Sequence, residues 1–585
     1  MTCCNGHAGG TQRCYRTCCG ATKPAAAFLP ASATPAAANV DAESATKPRP
    51  AAYRWRQHVA AVLATTSTLS VGYVDGWSSN ALPFLQSGNA TAAAAAVGDS
   101  AAAPAPLDAY VSRPLTDDEA SWLGSLVALG AMAGSLPAGL VADALGRKPT
   151  LLLLVLPYLA SWGAVLAAGR SVALLYTGRL LAGFAMGAAC VVSPLYNEEI
   201  SEVAIRGALG VYQNLMVTAG VLLAYVSGAL LPYKGTIFMG CVPPLLLLTL
   251  FVWAPESPVL LVAKGKELQA RRALQWLRGP HADVDGEVAK IKELVAESAS
   301  RDGHQGSLLS SAKALLRRMA EARRDVRALA IVFGLMCFRQ VIGINAVVFY
   351  TVDIFAVADA DLSPSAETII VGMVQMVSTC ASSRLADRAG RRTLLLVSAV
   401  GTAACHAVLT AFFALHRSLD YDVSALSWLP LVALALFMVL FAAGFGPLPW
   451  LMIAELLPSQ HKRWAAGVAG LLNWVMMFTV TRSFGLMLSR VGAAACFGGF
   501  LASSLTAAAF VFLLVPETAG KTLQEIQADL RAGRPRGSAP APPASEELPL
   551  PQLVAGSTSA ASKAVAVDFF PAGSFRFLSP GEIHI

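Results

Sequence analysis

Six polar side chains stand isolated in long apolar stretches of this chain: Gln213, Gln340, Asn345, Gln375, Trp450 and Asn473. An amide offers donors and an acceptor, and an indole offers an apolar face with one donor. Together they suit a ligand built of hydroxyls on an apolar ring. Taken singly, each amide serves equally well as a hydrogen-bonded link between membrane helices. The run Gly444-Phe445-Gly446-Pro447-Leu448-Pro449-Trp450 favours the ligand reading. Gly and Pro interrupt helical bonding there, and irregular backbone at membrane depth lines a cavity.

A second set carries charge and occurs twice. Asp143 with Arg147 and Lys148 is echoed by Asp387 with Arg391 and Arg392. Glu199 with Arg206 is echoed by Glu455 with Arg463, and Pro255-Glu256-Ser257 by Pro516-Glu517-Thr518. Each second copy follows about 250 residues after the first, which reads as a duplicated membrane unit with its ligand site between the halves. We expect Asp143, Arg147, Glu199, Arg206, Glu256, Asp387, Arg391, Arg392, Glu455 and Arg463 to form a cytosolic clamp of ion pairs between the halves, holding when the protein opens outward and breaking when it opens inward. The plainer alternative is that they only anchor helix ends. Ionisable groups inside spans default to functional roles because burying them is costly. Asp75 and Arg179 are the two further candidates, as a proton-coupling pair.

The elements that would position these residues follow from composition. The 585 residues are 55% apolar and 14% charged, with mean hydropathy +0.55. Soluble domains carry about 25% charge, so this is an integral membrane protein. The net charge of +7 lies in loops between apolar spans and gives no nucleic-acid signal. With about 20 apolar residues per span, twelve candidates begin near residues 58, 121, 149, 172, 207, 236, 328, 366, 393, 429, 465 and 493. We expect an all-α membrane fold of two six-helix bundles. The bundles are 57–254 and 328–516, joined by a cytosolic helical linker at 255–327. Flanking them are tails at 1–56 and 517–585, poor in large apolar groups and read as disordered.

Lys and Arg crowd the loops after spans two, four, six and eight, which places both termini in the cytosol. Residues 84–118 then lie outside, where the sequon Asn89-Ala90-Thr91 is open to glycosylation. No cleavable signal peptide is visible. Five of the eleven cysteines, Cys3, Cys4, Cys14, Cys18 and Cys19, sit in the N-terminal tail. Cytosolic placement argues against disulfides there. Metal binding by Cys14, Cys18 and His7 is not expected, since the spacing is irregular. No phosphate-binding loop occurs, so we expect no cofactor and no ATP-driven pump.

The chain resembles the sugar-porter branch of the major facilitator superfamily over roughly 57–530. The resemblance is carried by Asp143–Lys148, Gly178-Arg179, Pro194-Leu195-Tyr196 with Glu199, Arg206-Gly207 and Pro255–Pro258. It continues through Gln340–Asn345, Asp387–Arg392, Gly444–Trp450 with Glu455, Asn473-Trp474 and Pro516–Thr518. Within the branch, Gly76-Trp77-Ser78-Ser79 and the Gly-Phe-Gly-Pro-Leu-Pro-Trp run look most like insect facilitated trehalose transporters. The resemblance implies alternating access, with Gln213, Gln340, Asn345, Gln375, Trp450 and Asn473 facing a small neutral sugar. It implies facilitated movement of trehalose, or of a hexose such as glucose, across a cell membrane, and no enzyme activity. Three departures bear on it. Arg339 replaces a Gln, Ala442 stands where several hexose carriers have Glu, and Val259 replaces an Arg. Proton–sugar symport through Asp75 and Arg179 is the alternative within transport; a non-transporting sugar sensor is the alternative outside it.

Overall fold

The computed structural model describes residues 54–87, 114–169, 171–280, 282–301, 326–358, 362–418, 426–457, 459–521 and 525–527. The chain divides into units 1–532 and 533–585, and every described residue belongs to the first. Its regular structure is helical. The first half holds α1 (Arg54–Ser87), α2 (Asp117–Leu145), α3 (Arg147–Leu153), α4 (Val155–Ala167), α5 (Val172–Ile200), α6 (Arg206–Leu230) and α7 (Tyr233–Phe251). Three linker helices follow: α8 (Pro258–Ala263), α9 (Glu267–Arg278) and α10 (Val284–Arg301). The second half holds α11 (Val326–Val341), α12 (Ile344–Ala358), α13 (Pro364–Ala389), α14 (Arg391–Phe413), α15 (Leu429–Ala443), α16 (Leu448–Leu456), α17 (Ser459–Arg490) and α18 (Ala493–Leu514). The pairs α3/α4, α11/α12 and α15/α16 each make one broken rod, so each half has six rods.

Ten rods are long and apolar enough to cross a membrane. The remaining two, α1 and α13, are more polar for a shared reason. In α1, Thr65 donates to Ala61 O at 2.9 Å, Ser67 to Ala64 O at 2.7 Å and Thr68 to Thr65 O at 2.7 Å. In α13, Thr368 donates to Pro364 O at 2.7 Å and Ser378 to Val374 O at 2.6 Å. Hydroxyls turned onto their own helix are satisfied without water, so both helices tolerate burial.

Local signals set the boundaries. Thr116 and Glu119 form a reciprocal capping box at the start of α2, and the acidic first turn complements the helix dipole. Inside the first half, α2 and α5 approach backbone to backbone. A Cβ on Gly134 would lie 2.0 Å from Phe184 O, and one on Gly187 would lie 2.0 Å from Ala131 O. Small residues spaced four apart on each helix allow this approach. The linker helices rest on the first half through Arg278, whose side chain is 3% exposed. It pairs with Glu287 at 2.9 Å and donates to Ile200 O at 2.8 Å. On the linker surface, Lys292 pairs with Glu267 at 2.7 Å and holds that carboxyl below its ordinary range.

Candidate functional site

The two rod breaks in the second half bring three predicted residues together. Between α11 and α12 the chain passes through Gly343 at φ +100°. A side chain there would be strained, and its Cβ would meet the Phe500 ring at 2.8 Å. Gln340 and Asn345 flank this break. Gln340 Nε2 donates to Asn473 Oδ1 at 2.7 Å, and Asn345 Nδ2 donates to Gln340 Oε1 at 2.5 Å. Arg339 joins the same centre, donating to Asn473 Oδ1 at 3.1 Å and to Gly446 O at 3.4 Å, with its guanidinium 5.9 Å from the Phe441 ring. Gly446 belongs to the other break, between α15 and α16, where Gly446 N donates to Phe441 O at 2.8 Å. Close approach explains Gly444: a Cβ would lie 2.4 Å from that of Ser398.

The other predicted ligand residues stand apart from this trio among the described contacts. Gln213 is half-buried on α6. Gln375 is half-buried on α13, with Oε1 buried and unpartnered. Helices α6 and α13 pack on each other across the halves. Trp450, on α16, is 42% exposed, so packing does not lock its ring.

Asp75 and Arg179 are both buried but make no ion pair within 4 Å among the described residues. Arg179 spends its donors on Leu123 O at 3.3 Å, Val74 O at 3.0 Å and Ser78 Oγ at 2.5 Å, and lies 5.3 Å from the Trp77 ring. Asp75 Oδ1 is buried without a partner.

At the linker end the duplicated charges build the same motif twice. Arg147 bonds Glu199 at 2.8 Å and Asp143 at 2.7 Å, and Ser257 Oγ donates to Glu199. Arg391 bonds Glu455 at 3.3 Å, and Thr518 Oγ1 donates to Glu455 at 2.6 Å. Glu256 accepts from the Arg147 and Lys148 amides at 3.1 and 3.2 Å. Glu517 accepts from the Arg391 and Arg392 amides at 2.9 and 3.2 Å. A carboxylate thus caps the positive end of α3 and another that of α14. Arg392 donates to Phe512 O at 3.1 Å, and Arg206 to Ser201 Oγ at 3.3 Å. These pairs each join groups of one half, rather than crossing between halves. The side chains of Asp387 and Arg463 and the whole of Asn89 lie outside the described residues.

The described polar contacts between halves lie at the opposite end. Arg482 on α17 reaches Asp118 at 2.5 Å and Ser121 Oγ at 2.8 Å on α2, with its guanidinium 4.8 Å from the Trp122 ring. Tyr225 Oη donates to Val348 O at 3.0 Å, and Val352 N donates to Ser79 Oγ at 3.1 Å. Among the described residues these contacts tie the two halves together at that end.

Sequence reasoning missed several of these groups. Arg482, Asp118 and Ser121 belong to no repeat, so duplication gave no signal. Glu517 and Thr518 were marked by the repeat itself and could have been placed beside Glu256. His406 on α14 is wholly buried, with Nε2 3.0 Å from Ile342 O. That carbonyl is exposed by the α11/α12 break, so the imidazole supports the segment carrying Gln340 and Asn345.

Two sets of six rods, a polar centre at paired helix breaks and a twofold-repeated charge motif define a two-bundle membrane transporter architecture. The family described as "Sugar (and other) transporter" matches residues 59–530, and the chain belongs to it. It is 35% identical over 473 residues to the facilitated trehalose transporter Tret1 of Aedes aegypti, covering 81% of this chain and 55% of that protein. It is 36% identical over 475 residues to the facilitated trehalose transporter Tret1 of Drosophila pseudoobscura pseudoobscura, covering 81% and 51%. The chain therefore spans about half the length of the curated relatives it matches. The fold matches a partially occluded inward-open structure of the E. coli xylose transporter XylE. The TM-score is 0.63 at 21% identity, covering 81% of this chain and 100% of that one. An inward-open structure of the same transporter gives 0.62 at 22% identity, covering 80% and 98%.

Proposed function

We propose that this chain moves a sugar across a cell membrane by alternating access, down the sugar's gradient. The observation that carries this is the Asn473–Gln340–Asn345 network of the second half, beside its helix breaks, in a molecule whose described polar contacts between halves lie at one end. Binding would draw the halves together around the sugar, and the far-end ties at Arg482 and Tyr225 would then give way. The Lys/Arg distribution supports a cytosolic linker end, which would make the described conformation an inward-facing one. Gln213, Gln375 and Trp450 would complete the sugar contacts from α6, α13 and α16. The linker-end charges would act as the cytosolic gate, crossing between halves in the outward-open state. The relatives' name makes trehalose the first sugar to test.

A second reading is proton–sugar symport, favoured by the buried, unpartnered Asp75 Oδ1. Uptake of labelled trehalose with and without a protonophore separates the two. Gradient-driven uptake is unaffected, whereas symport loses accumulation and Asp75→Asn keeps exchange alone.

A further inference from the structure

Arg339 is a cation in a membrane-spanning helix at the centre of the polar network. The described ion pairs do not include it. The residue is half-buried. Its two hydrogen bonds go to neutral oxygens, Asn473 Oδ1 and Gly446 O. Asp75 and the other described carboxylates make no ion pair with it within 4 Å. Its positive charge is thus left without a paired carboxylate among the described residues, in a place where charge is expensive.

The hydrogen-bond inventory points the same way. Asn473 Oδ1 already accepts twice, and Gln340 Oε1 accepts from Asn345. A guanidinium carries five donors and no acceptor. What the network turns toward a ligand is therefore mostly donors. A neutral hydroxyl uses only part of that field. A carboxylate or phosphate uses it fully, because charge-assisted, bidentate contacts to Arg are the strong ones.

We propose that Arg339 sets specificity at this site, and that the sugar it takes best carries an anionic group, a carboxylate or a phosphate. Neutral sugars would enter more slowly. The inference rests on the transport reading and narrows it.

The test compares sugars that share a core: trehalose with trehalose 6-phosphate, and glucose with glucuronate. Purified protein in liposomes gives uptake, and thermal stabilisation in detergent gives binding without transport. Wild type should prefer one anionic sugar to its neutral parent by about tenfold or more. Arg339→Gln should reverse that preference, and Arg339→Lys, which keeps the charge but not the bidentate fork, should keep its direction at reduced size. The phosphate and glucuronate arms show which anion fits. An unchanged preference in Arg339→Gln would mean a bridge between helices and overturn the proposal, as would a wild type favouring the neutral sugars. Stabilisation by the anionic sugar without uptake would support the site's charge preference while overturning transport. No response to any of the four sugars would overturn both.

Discussion

At the scale of residues, the centre of the account is Gln340, which donates to Asn473 and accepts from Asn345. Gln340→Ala leaves both partners short of a bond at a buried site, which costs about 1–3 kcal/mol. We expect KM for sugar to rise roughly tenfold or more, read from uptake kinetics at matched surface expression. His406 should behave differently from a packing residue. His406→Phe fits among the neighbouring Phe437 and Phe500 rings but loses the bond to Ile342 O. It should raise KM more than it lowers kcat, and His406→Gln, which keeps a donor, should restore KM. Equal effects of Phe and Gln would reduce His406 to filling. The trio was legible in the sequence because amides in apolar runs are rare and costly. His406 was not, since one histidine in an apolar helix carries no pattern until its acceptor is known. The surroundings of Arg179 were not legible for a related reason: spacing shows two charges, Asp75 and Arg179, but not that Val74 O, Leu123 O and Ser78 accept from the guanidinium.

At the scale of elements, the helices follow hydrophobic runs of membrane length, so ten of twelve rods were plain from composition alone. The more polar α1 and α13 were found by the same ruler, near residues 58 and 366. Contacts between rods were less legible, since they depend on small residues facing each other across sequence. Gly134 illustrates this: its Cβ position lies 2.0 Å from Phe184 O. Gly134→Leu should separate α2 from α5 and cost about 1–3 kcal/mol or more, seen as a lower midpoint in thermal unfolding. The far-end tie is an element-scale device as well, joining α17 to α2. Arg482→Ala should weaken that closure. A cysteine placed at the buried Thr481 should then react faster with an impermeant maleimide applied from outside. Unchanged labelling would show that Tyr225 and Ser79 hold the far end without Arg482.

At the scale of the whole molecule, duplication explains why the two halves carry one charge motif in two copies. Arg147, Glu199 and Glu256 match Arg391, Glu455 and Glu517 in partners as well as order. The repeat was readable in sequence, but its state was not. Whether such charges pair within a half or across halves depends on which end of the molecule is open, and one sequence encodes both ends. The described state ties the far end and leaves the linker-end pairs inside each half, as an alternating cycle requires of one of its extremes. The most direct test is uptake of labelled trehalose and glucose by null cells expressing the chain, beside Gln340→Ala. The account predicts saturable uptake of a sugar that survives a protonophore and falls sharply in the variant. Wild-type protein present at the cell surface that moves neither sugar, and none of their anionic analogues, would contradict it.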